Sequence, residues 1–80
     1  MPTALKIGKF RFFFFSNERM EPIHIHVESD DKYAKFWLDP IMISRSIGYS
    51  TKELREIRKL ILENSITLKE KWYEYFDLKN

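Results

Sequence analysis

The tetrad Ser50-Thr51-Lys52-Glu53 divides this chain into two parts that cannot fold alike. A serine hydroxyl three residues before a glutamate can accept from the third helical N–H while the carboxylate reaches back to the cap's own N–H, so a helix starts here. From Thr51 to the end there is neither glycine nor proline, and Leu54, Ile57, Ile61, Leu68, Trp72 and Tyr75 recur at spacings compatible with one apolar stripe. A single helix of about 26 residues would reach about 39 Å at ~1.5 Å per residue, longer than a typical strand. A break near Asn64-Ser65 is the competing reading, because these residues and Ile66-Thr67 are poor helix formers.

Everything before the tetrad reads as strand. Ala4 to Ser16 is rich in aromatic and branched residues, holds Gly8 as a bend, and ends in the turn-prone Ser16-Asn17-Glu18; it forms one long bent strand or two short ones. Glu21-Pro22 cannot lie within a central strand, since proline lacks the ladder N–H, so the next strand runs from Ile23 to Glu28. Its period-two alternation sends Ile23, Ile25 and Val27 to one face and His24, His26 and Glu28 to the other. Ser29-Asp30-Asp31-Lys32 is a polar turn into a third strand, Tyr33 to Leu38, which Asp39-Pro40 ends. Ile41 to Ile47 suits a short fourth strand with Ile41, Ile43 and Ile47 on one side.

The order implies an α+β fold: a small antiparallel meander of three to four strands packed by one long C-terminal helix. Eighty residues allow one domain, 1–80, whose core needs nearly every large apolar side chain. Phe10 to Phe15 supply apolar groups to both sides of the first strand, so the face away from the helix is not wholly polar, and a partner or a second copy would cover it. No apolar run approaches the ~18 residues of a membrane span, Phe12–Phe15 is too short for an export signal, and the lack of cysteine excludes disulfides and thiolate sites. The expected compartment is the cytoplasm.

The net charge of +2 creates no global field for nucleic acid, but the charges are segregated. Residues 45–62 carry Arg45, Lys52, Arg55, Arg58 and Lys59 against Glu53 and Glu56. Lys52, Arg55 and Lys59 share one helix flank, a candidate phosphate-binding patch, although neighbouring glutamates make a mixed solvated face the plainer meaning. His24 and His26, the only histidines, project together beside Glu28. Two imidazoles with pKa near 6.5 can act as general acid and base, or with Glu28 or Glu21 could ligate a divalent transition metal; they can equally pack among aromatic side chains as structural groups. The sequence holds no glycine-rich phosphate loop, G-x-S-x-G or H-E-x-x-H, and no cofactor is expected beyond the metal alternative.

Pro22-Ile23-His24-Ile25-His26-Val27-Glu28 resembles the motif of a small bacterial family catalogued as domain of unknown function 4160. Met1-Pro2-Thr3, the Phe-Phe-Phe-Phe-Ser-Asn stretch from Phe12, Ala34-Lys35-Phe36-Trp37-Leu38 with Asp39-Pro40, and a terminal helix with Trp72 and Phe76 fit it as well. Many members have two prolines before the first histidine, whereas Met20-Glu21-Pro22-Ile23 supplies one. The resemblance implies a partner: members are often encoded beside a small protein catalogued as domain of unknown function 2442, in pairs regarded as toxin–antitoxin modules. The expected function is thus one component of such a pair, acting on RNA or through a target protein. Were RNA cleaved, His24 and His26 would exchange the protons and Arg45 or Arg55 would stabilise the phosphorane. The alternative is a non-catalytic interaction module.

Overall fold

A computed structural model describes residues 3–15 and 20–76. Five strands, β1 (Thr3–Ile7), β2 (Phe10–Phe13), β3 (His24–Ser29), β4 (Lys32–Leu38) and β5 (Ile41–Ile47), precede two helices, α1 (Thr51–Glu63) and α2 (Ser65–Tyr75). The strands form one antiparallel sheet in sequence order. The α+β expectation is met, with two differences in detail.

The first difference is the strand count. Gly8, at φ 58°, makes the two-residue turn that pairs Ile7 with Phe10, so the aromatic N-terminal stretch is a hairpin of two strands. Asp30, at φ 53°, serves the β3–β4 turn in the same way, aspartate being one of the few side chains tolerant of the left-handed region. The turn expected at Ser16-Asn17-Glu18 lies outside the described residues. The second difference is the helix, which is two segments and not one. The Asn64 side chain donates to the Leu60 carbonyl oxygen (2.8 Å), competing with the regular backbone ladder, and its backbone leaves helical geometry at φ −115°, ψ 18°.

Cross-strand partners share a face, so the register assigns each side chain. Leu5, Ile7, Phe10, Phe12, Ile25, Val27, Ala34, Phe36, Leu38, Ile41 and Ile43 face the helices. Ile57 and Ile61 of α1 and Leu68 and Trp72 of α2 complete that core. α1 packs beside β5 and α2 beside β1, so the helical layer spans the sheet from one edge to the other.

Ile47 does not join Ile41 and Ile43, contrary to the simple alternation. Lys35 pairs with Arg45 and Phe36 with Ile43, which leaves Ser44 as a bulge residue, and the extra residue reverses the sidedness of everything after it. Ile47 therefore shares the opposite face with Arg45 and Met42.

The capping box forms as expected: Glu53 N–H donates to Ser50 Oγ (3.1 Å) and Ser50 N–H to Glu53 Oε1 (3.0 Å). Glu53 also receives Lys32 Nζ at 3.0 Å and Lys9 Nζ at 3.5 Å, tying the helix start to the β1–β2 turn and to β4. The Ser50 N–H and the Lys32 ammonium hold the Glu53 carboxyl down to about 2, and the bond to Glu53 in turn raises the Lys32 pKa. Gly48, at φ 90°, leaves room for this contact: a Cβ there would lie 3.0 Å from Lys32 Cγ.

Candidate functional site

Expected site residues fall on two faces of the sheet. The face turned away from the helices carries two interstrand rows that contain the histidines: Thr3, Phe13, His26, Lys35 and Arg45 in one, His24, Trp37 and Met42 in the next. His24 and His26 do project together, their rings edge-on at 5.0 Å. Their surroundings differ from the solvent-facing pair that a polar strand face suggests, because His24 is 0% and His26 2% exposed.

Aromatic rings account for that burial. His26 stacks on Phe13 (5.3 Å), meets Phe15 edge-on (4.5 Å) and lies parallel to Tyr33 (5.8 Å). His24 is edge-on to Trp37 (5.6 Å) and to Trp72 of α2 (5.0 Å). The His24 Nδ1–H donates to the Pro22 carbonyl oxygen (2.8 Å), and His26 Nδ1 shares a hydrogen bond with the Tyr33 hydroxyl (2.6 Å). Among the described residues no buried side-chain nitrogen or oxygen is left without a partner. This is how a protein interior satisfies imidazoles.

Cations lie over the cluster. The Arg11 guanidinium sits 4.6 Å from the Phe13 ring centre, bonds Glu28 (2.6 Å) and donates to Thr3 Oγ1 (2.8 Å). Lys35 Nζ sits 4.5 Å from the Trp37 ring centre and bonds Glu21 (2.8 Å). Both carboxylates considered as metal ligands, Glu28 and Glu21, are thus engaged by cations, and among the described residues no group of three or more His, Asp or Glu side chains is placed to hold a metal ion.

Arg45 occupies the His26 row two strands away, a separation of roughly 10 Å between strand axes, and is exposed. Lys52, Arg55 and Lys59 are exposed on α1, which packs on the other side of the sheet. The histidines and the helix cations are therefore separated by the sheet and do not form one site.

A second region lies at the β5 edge. Phe36, Ile41, Met42 and Ile43 from the sheet and Thr51, Leu54, Arg55 and Arg58 from α1 line a largely apolar groove of about 350 Å³. Met42, Ile43 and Ile47 are 51%, 44% and 49% exposed. Tyr33, which shares a hydrogen bond with His26, carries no local sequence signal of that role; the two-residue turn at Asp30-Asp31 sets it opposite Glu28 and so diagonal to His26. The groove had no local signal, as it needs the α1–β5 packing.

These features define the chain as a small α+β domain, a five-stranded antiparallel meander packed by two helices, with an aromatic–imidazole cluster around β3 that Trp72 of α2 also reaches, and with β1 and β5 as its edges. It belongs to the family described as Domain of unknown function (DUF4160), whose family model matches residues 10–73, from the start of β2 into α2. No curated protein and no solved structure matches the chain. No helix among the described residues is long and apolar enough to cross a membrane.

Proposed function

We propose that this domain is a non-catalytic interaction module, the protein-binding component of a two-gene pair of the toxin–antitoxin type. The observation that carries this reading is the near-complete burial of both imidazoles in a hydrogen-bonded aromatic cluster, set against a β5 edge that presents three half-exposed apolar side chains. A proton-transferring pair must reach its substrate within hydrogen-bonding distance. Here Phe13, Phe15, Tyr33, Trp37 and Trp72 occupy the space around the rings. RNA cleavage by His24 and His26 with help from Arg45 would require this cluster to open, and Lys52, Arg55 and Lys59 are on α1, which packs on the other side of the sheet.

Sedimentation of the chain alone and with the product of its adjoining reading frame tests the reading. A stable complex is expected. A chain that ignores that product, yet degrades RNA in a manner abolished by His26→Gln in folded protein, would overturn it in favour of the catalytic alternative.

A further inference from the structure

We infer that β5 is the docking edge for an acidic, extended segment of a partner protein, which adds as a sixth strand and sends alternate side chains into the groove between β5 and α1. This deepens the interaction reading and rests on it. β5 ends the sheet, so half of its backbone N–H and C=O groups point away from β4, and an added strand can satisfy them. The other edge strand, β1, is shorter, five residues against seven, and the groove between it and α2 is lined by Glu74 as well as Lys71. Beside β5 the groove is lined by the apolar Phe36, Ile41, Ile43 and Leu54.

Charge selects the occupant. Arg55 and Arg58 line the groove, Arg45 stands on the other side of the same edge, and among the described residues no carboxylate lines the groove. Among the described residues none of these three arginines has an ion pair, in contrast to Arg11, Lys32 and Lys35, which do. An incoming strand with alternating character would meet guanidinium groups on both of its faces, so acidic side chains interspersed with aliphatic ones fit both the charge and the apolar lining. A second copy of this chain fits poorly, because pairing β5 with its own copy would bring two sets of the same arginines together without acids between them. RNA fits poorly as well: the aromatic ring in the groove lining, Phe36, is buried, and the large exposed side chains at the edge are Met42, Ile43 and Ile47, not rings on which bases stack.

Nuclear magnetic resonance titration of the intact chain provides the test, with a short capped peptide alternating glutamate and valine, its lysine-for-glutamate counterpart, and an oligouridine of equal length as probes. The glutamate peptide is expected to shift the backbone amides of Ile41–Ile47 and to bind at least about tenfold more tightly than the lysine peptide. The double substitution Arg55→Glu/Arg58→Glu, at two exposed positions of α1, is expected to reverse that preference while leaving the remaining amides in place. Absence of glutamate-peptide binding, shifts outside β5 and α1, preferential binding of oligouridine at this edge, or self-association through it would each overturn the inference. The broader interaction reading fails separately, in sedimentation: a complex with the adjoining gene product that leaves the β5 amides unshifted would sink the docking edge alone.

Discussion

Truncation of His24 tests whether the imidazoles belong to the interior. His24→Ala removes the donor to the Pro22 carbonyl oxygen, leaving a buried acceptor unpaired at a cost of about 1–3 kcal/mol. It also removes edge-on contacts with Trp37, Trp72 and His26, each worth ~0.5–1.5 kcal/mol beyond area burial. These contributions overlap, and the loss should match that of other buried ring truncations, ~3–5 kcal/mol. A chain of 80 residues is expected to hold only ~4–12 kcal/mol in all, so one substitution removes about a quarter of it or more. Equilibrium urea unfolding followed by tryptophan fluorescence is the assay, with Trp37 and Trp72 both against the ring as reporters. The midpoint should fall by ~3 M or more at a slope of about 1 kcal/mol/M, with the slope unchanged. A loss below ~1 kcal/mol, the usual size for exposed positions, would refute the assignment of this ring to the core. The same arithmetic bears on any growth assay of histidine variants, since loss of activity in His24→Ala would report unfolding before it reported chemistry.

Further outcomes follow from the other contacts. Because the Glu53 carboxyl is held at about 2, below its ordinary 4.5, it favours the folded state above pH 4.5, and that contribution is lost as pH falls from about 4.5 towards 2; Glu53→Gln should melt lower than the parent at neutral pH, and the two melting curves should converge in acid. Gly48→Ala should lose about 1–2 kcal/mol in urea unfolding, from its left-handed backbone and the tight approach of Lys32, with a neutral result showing that the loop relaxes. Ser50→Ala should cost about 1 kcal/mol by removing the cap acceptor, and unchanged stability would mean that Glu53 alone secures the helix start.

Much of the architecture was legible because it depends on local chemistry. The Ser50–Glu53 cap, the alternation from Ile23 to Glu28 and the Asp30-Asp31 turn are short-range patterns, and each formed as read. What escaped reading depends on single residues whose effect is settled by neighbours. The break at Asn64, the competing reading of the helix, comes from one side-chain bond to Leu60 that the single-helix reading leaves out, and Ser44 reverses Ile47 through a bulge that alternation does not show. The imidazoles were read correctly as partners on one face, but their exposure was not legible: Phe13, Tyr33 and Trp37 reach them across the register, and Trp72 arrives from a helix distant in sequence. A face of His, His and Glu looks polar until the rings around it are counted.

The two-residue turns also govern how the chain acquires its shape. Every strand pairs with its immediate predecessor, so little loop entropy is spent in bringing partners together, and sheet assembly should be rapid for a β-rich topology. During synthesis the ribbon through Ile47 emerges first, with Phe10, Phe12, Ile25 and Phe36 bare until α1 follows. That interval, before the helical roof closes, is when the nascent chain is most prone to clump with its neighbours.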